Sequence, residues 1–228
     1  PGIYNSKDDA FRNAVKQNPE AARKGNLYVV VNNPTYEVVP LLSEVGFYAA
    51  YDKLNDKMGG IMPLTKAEKT NVFLNQYAKN HGIKMESSNH SRGGITESVS
   101  LQYTNNQLNI KGIPLEKVRF YGTATNVADY ISQTEKNGYV DEDGIQTTVS
   151  SAVHNADFVG RPPFILGGNP PTGGDCIKCY AHSSYYAWVP QEYLQDASGV
   201  DITDANGQKI KNPEYQKYTN IWGEPPKD

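Results

Sequence analysis

Three residues of this chain have the types that nucleophilic acyl chemistry requires: Ser91, Asp157 and His182. A serine hydroxyl is a poor nucleophile until an imidazole takes its proton, and the imidazole needs a carboxylate to hold its orientation. Ser91 lies in Asn89-His90-Ser91-Arg92-Gly93-Gly94. Strand-like residues precede this hexapeptide and helix-like residues follow it. That is the layout of a nucleophile elbow, a sharp turn with a strained central serine. The positions two before and two after the serine must be small, or neighbouring backbones collide. Gly93 meets the second requirement. Asn89 stands where glycine is usual, so its side chain must fit by local repacking or alter the turn. Taken alone, the hexapeptide describes a helix-capping serine turn equally well.

The chain order of the other two members narrows the choice. Four histidines are present, His81, His90, His154 and His182. His81 closes a helix ahead of the serine, His90 is its immediate neighbour in a sharp turn, and His154 ends a strand. His182, in Ala181-His182-Ser183-Ser184, follows the last strand-like piece (175–180), where the order Ser, Asp, His places the base. Asp157 lies in the loop after a strand, at the carboxyl edge of a parallel sheet, where ligand sites of such sheets collect. Asp129 falls inside an expected helix, and Asp175 remains a rival for the acid. An oxyanion needs two backbone donors. One is the N–H of Arg92, and the other is expected from Asn33 or Thr35, since Pro34 between them has no N–H.

The elements that must hold these residues alternate. Asn26–Val31 is a nearly continuous apolar run, the pattern of a strand buried on both faces. Apolar residues at helical spacing run from Val38 to about Leu54. Thr65 opens a further helix with Glu68 completing a capping box, and Gly82 closes it. The apolar face of that helix is expected to be Val72, Phe73, Tyr77 and Ala78. Strands are expected at 83–88, 114–122 and 146–153, with a helix over 126–136 between the last two. Strands and helices in alternation predict an α/β fold with a mostly parallel sheet flanked by helices. The whole of 1–228 is expected to be one catalytic domain, its core at about 25–190 and an irregular extension at 191–228.

Composition excludes several alternatives. The net charge of −3 gives no general attraction to nucleic acid. No metal-ligand cluster is visible, so neither a metal nor another cofactor is expected. No run of about 18 apolar residues occurs, and no signal peptide is read. The first residue is Pro1, from which a piece of a longer protein is expected. Cys176 and Cys179 leave open two ordinary thiols or a disulfide bracing the loop before His182.

With these residues in place, the chain resembles a lipase-like α/β-hydrolase. It is most similar to hydrolase domains at the C-termini of filamentous-haemagglutinin-type bacterial surface proteins, including toxins of contact-dependent growth inhibition. The resemblance rests on YVVVNNPTYEVV, SSNHSRGGITES, VRFYGTATNVADY, HNADFVGRPPFILGGNP and AHSSY, and covers roughly residues 25–190. It implies Ser91 as nucleophile, Asp157 as acid and His182 as base. It also implies ester bonds of membrane lipids as substrate, with peripheral membrane contact, and a cognate immunity protein as partner. Delivery to a target cell as the C-terminal part of a larger secreted or surface protein is implied as well. The segment 37–60, with Phe47, Tyr48, Tyr51 and Met58, is a candidate lid or acyl-binding wall, or simply helix core. The competing reading is a non-catalytic binding module on the same scaffold.

Overall fold

The computed structural model describes residue 31 and residues 44–154, 157–161, 167–171, 192–194, 201–213 and 215. The chain divides into two compact units, Pro1–Tyr185 and Tyr186–Asp228.

In the first unit the order is α1 (Glu44–Lys57), α2 (Lys66–His81), β1 (Met85–His90), α3 (Arg92–Asn106), β2 (Leu115–Tyr121), α4 (Val127–Asn137) and β3 (Thr148–Ala152). The three strands form a parallel sheet in the order β1-β2-β3. The fold is therefore mixed α/β, a small parallel sheet flanked by helices. The expected strand at 26–31 and the helix residues 38–43 lie outside the described residues, apart from residue 31.

Local chemistry explains the boundaries. Thr65 accepts a hydrogen bond from the Glu68 N–H at 3.3 Å, and the Glu68 carboxylate accepts from the Thr65 N–H at 2.7 Å. This is the expected capping box, and it satisfies two N–H groups that the helix itself leaves open. Gly82 ends α2 in the left-handed conformation, at φ 64°. Asn126 caps α4 by accepting from the Asp129 N–H at 3.0 Å.

Connecting neighbouring parallel strands by right-handed crossovers brings α3 and α4 to one face of the sheet. Leu101, Ile113, Leu115, Val118, Phe120, Val127 and Tyr130 fill the space between them and β2. Phe120 and Tyr130 meet edge to face with centroids 4.9 Å apart. The alternation along β2 sends Lys117 and Arg119 to the other face, where both pair with Glu86.

α3 is enclosed by β1, α1, α2 and α4, and residues 91–102 are all buried. The α2 face against it differs from the sequence expectation. Val72 and Ala78 are inside with Ala67, Glu68 and Asn75, but Phe73 is 61% and Tyr77 45% exposed. The reason is close approach: Ser100 on α3 donates to the Glu68 carbonyl at 3.2 Å, and a bulky ring cannot fit between the two helices. Phe73, Tyr77 and His81 instead stack on one another along the outer side of α2.

In the second unit, antiparallel bridges join Tyr193 to Lys211 and Thr203 to Lys209. The Asp204 carboxylate accepts from the Asn206 and Gln208 N–H groups and shapes the turn between Thr203 and Lys209.

Candidate active site

β1 ends at His90 and α3 begins at Arg92, so Ser91 alone makes the corner. Its backbone has φ 55° and ψ −124°, a conformation that costs a non-glycine residue about 1–3 kcal/mol. Surrounding groups hold it there. The Ser91 N–H donates to the Tyr121 carbonyl at 3.0 Å. The Ser91 carbonyl accepts from the Gly94 N–H at 3.1 Å and the Ala124 N–H at 3.3 Å. Thr123 Oγ1 stands 3.4 Å from the same carbonyl. The Ser91 side chain makes no capping bond to α3, so it does not take up the N–H groups at the start of that helix.

Gly94 is required by contact. A Cβ there would drive into the Thr123 side chain, which itself braces Ser91. Sequence reasoning fixed on Gly93 and passed over Gly94. Asn89 fits because its face of β1 is polar: its Nδ2 donates to Ser87 Oγ at 2.8 Å, and Ser87 donates to Glu97 at 3.1 Å.

His90, Tyr121 and Ala152 stand in register across the sheet, so the chain leaves all three strands at the same edge. Beyond β3, Asp157 is buried. Its Oδ1 accepts from the N–H groups of Val159 at 2.7 Å and Gly160 at 2.9 Å. Gly160 packs so closely on Gly122 and Val153 that a Cβ would lie 3.3 Å from the Gly122 Cα and 2.9 Å from Val153 Cγ1. Asn169 completes the brace by bonding the carbonyls of Thr123 and Thr125 and the N–H of Val127. The Asp157 loop is thus tied to the loop after β2, and that loop is tied to Ser91.

Strands lie about 4.8 Å apart, so the ends of β1 and β3 are separated by about 10 Å. Ser91 and Asp157 both follow carboxyl ends of strands at the same edge of the sheet. His182, Asn33, Thr35, Asp175, Cys176 and Cys179 lie outside the described residues. Of the other candidates, Asp129 is an exposed first-turn residue of α4.

Buried polar residues, several of them not singled out from the sequence, surround α3. Asp52 Oδ2 accepts from Arg92 Nε at 2.6 Å, and both side chains are buried. Burial pushes the Asp52 carboxyl up, and Arg92 partly opposes this. Lys53 donates to the Ala124 carbonyl at 2.6 Å. Burial lowers its pKa, while Asp56 beside it works the other way. Asp56 accepts from Gln102 at 3.0 Å and Thr125 at 3.3 Å. Glu97 accepts from Asn71, Ser87 and Tyr130, and its full burial raises its pKa. Glu68 is pushed up to about 7, chiefly by burial, with the negative charge of Asp52 adding to it. Of the candidate lid or acyl-binding wall at 37–60, residues 37–43 and the side chains of 44–49 lie outside the described residues. On the described part of α1, Asp52 and Asn55 are fully buried polar groups. Only a repeat of acidic and amide residues at 52, 55 and 56, one helical face, signalled this in the sequence.

A cavity of about 700 Å³ opens between α1, α3 and α4, lined by residues including Lys53, Asp56, Gln102, Asp129 and Lys136. Ser91 is not among its walls, and these charged groups suit water or a polar ligand better than an acyl chain. Among the described residues no group of His, Cys, Asp and Glu could hold a metal ion, and no helix is long and apolar enough to cross a membrane.

Comparison with protein-family models, with curated proteins and with solved structures finds no match.

Proposed function

We propose that this chain is a serine hydrolase of carboxylic esters built on an α/β-hydrolase-like scaffold. The observation that carries the reading is Ser91: a non-glycine residue at φ 55°, ψ −124° between a parallel strand and a buried helix. A backbone this strained is retained only where its surroundings over-determine it, and such residues cluster at reactive sites. The buried, doubly hydrogen-bonded Asp157 at the same sheet edge adds to the support.

In this mechanism Ser91 Oγ attacks the acyl carbonyl carbon and its proton passes to His182. The tetrahedral oxyanion is held by the Arg92 N–H, at the positive end of α3, and by a second N–H from Asn33 or Thr35. Collapse breaks the ester C–O bond, and the imidazolium returns the proton to the leaving alkoxide. Water, deprotonated by His182, then attacks the acyl-enzyme; the acyl–Oγ bond breaks, the imidazolium returns the proton to Ser91 Oγ, and the acid is released. Asp157 holds the imidazole in one tautomer throughout.

Membrane lipids as substrate, a cognate immunity protein, and delivery from a larger surface protein are carried by the resemblance of the sequence motifs. The test is a fluorophosphonate probe and a p-nitrophenyl ester on the wild type and Ser91→Ala. The wild type should be labelled at Ser91. The variant should lose labelling, and hydrolysis by at least ~10³-fold, together with any growth arrest caused by expressing the domain in bacteria. Full activity in Ser91→Ala, or labelling elsewhere than Ser91, overturns the mechanism.

A further inference from the structure

We infer that Asp52 is a positioning residue of the reaction: through its buried ion pair with Arg92 it fixes the backbone N–H that receives the oxyanion. The inference rests on the hydrolase reading above. Arg92 is the first residue of α3 and directly follows the nucleophile. A helix start is normally steadied by a capping side chain. Here the capping position is Ser91, whose side chain makes no such bond. The first turn therefore needs an anchor that leaves its N–H groups available. Asp52 supplies one from α1, reaching Arg92 Nε at 2.6 Å with both side chains removed from water.

Two physical points make this pair a matter of geometry more than stability. A buried ion pair gains little net stability over apolar residues of similar volume, because desolvation offsets the attraction. A cation at a helix N-terminus is also unfavourably placed against the helix dipole. An untethered guanidinium one residue from the nucleophile would be drawn to any anion formed there. Asp52 neutralises that charge and binds it to α1. Lys53, the next residue on α1, donates to the Ala124 carbonyl, and the Ala124 N–H donates to the Ser91 carbonyl. Successive residues of α1 thus hold the two sides of the elbow.

The test compares the full-length wild type with Asp52→Asn and with the double variant Asp52→Leu/Arg92→Met. It reads kcat and KM on a p-nitrophenyl ester, the rate of fluorophosphonate labelling at Ser91, and Tm. Asp52→Asn should lower kcat and the labelling rate about 10-fold, with KM within about twofold, since a displaced donor is felt in the transition state. The double variant, which replaces both charges by apolar groups, should keep Tm within a few degrees and still lose about 100-fold in kcat. Wild-type kcat in the double variant shows a merely structural pair and overturns the inference. So does wild-type labelling of Asp52→Asn. If Asp52→Asn does not fold, the double variant decides alone. A wild type that is not labelled at Ser91 defeats the hydrolase reading, and the positioning role falls with it.

Discussion

α3 carries two unlike sets of buried side chains. Leu101 joins the apolar cluster with Val118, Phe120, Val127 and Tyr130, and Ile95 and Val99 join Ala124 in a second. Arg92, Glu97, Ser98 and Gln102, buried along the same helix, are each met by a polar partner from another element or from α3 itself. The apolar region gains from burial without regard to direction, at about 25 cal/mol per Å². The polar region gains little net energy, yet every bond in it demands one distance and one angle. The first region holds the molecule together, and the second holds one corner of it in place.

This contrast can be broken or sharpened by substitution. Phe120→Ala removes a fully buried ring from the apolar cluster and should lower stability by about 3–5 kcal/mol in urea melts. The protein that remains folded should keep its kcat; a large fall in kcat would show that the two regions are not separate. Gly94→Ala pushes a methyl into Thr123 and should cost about 1–3 kcal/mol, while the labelling rate at Ser91 falls out of proportion. A labelling rate that survives would mean that Thr123 yields without moving Ser91.

The smallest expected effect concerns pH. Glu68 is raised from about 4.5 to about 7 in the folded protein, so the folded state binds more protons than the unfolded chain between those values. Its contribution to stability is full below about pH 4.5 and is lost as pH rises through about 7. Asp52, Asp56 and Glu97 are raised by burial too and act in the same direction. Glu68→Gln should shrink the difference between urea melts at pH 5 and pH 8 by about 1–3 kcal/mol. An unchanged difference would mean that Glu68 is not a source of the slope. Phe120→Ala should leave the same difference intact, because no titrating group is lost.

Much of the frame was legible because local rules decide it. Thr65 and Glu68 spell a capping box whatever surrounds them. The β-branched and apolar residues of β2 and β3, flanked by turn residues, announced those strands in nearly the right places. Ser91 was legible as a corner, because a strand pattern stops there and a helix pattern begins. What stayed hidden depends on partners distant in sequence. Phe73 and Tyr77 obey helical periodicity and still face outward, since the neighbour across α2 admits only small groups. Nothing local to Asp52 points to its partner Arg92, 40 residues away. Gly94 owes its necessity to Thr123, which no spacing rule connects to it. Asn169 reads as a loop residue and proves to bind two carbonyls of the loop after β2.

The bonds around the Ser91 carbonyl also bear on how the molecule assembles. The Gly94 donor is local and is available as soon as the first turn of α3 forms. The Ala124 donor and the Thr123 hydroxyl arrive only after β2 has docked beside β1. Until then the Gly94 bond alone holds the Ser91 carbonyl. The strained corner is thus fixed by bonds that reach it across the sheet, from the loop after β2, as well as by its own helix.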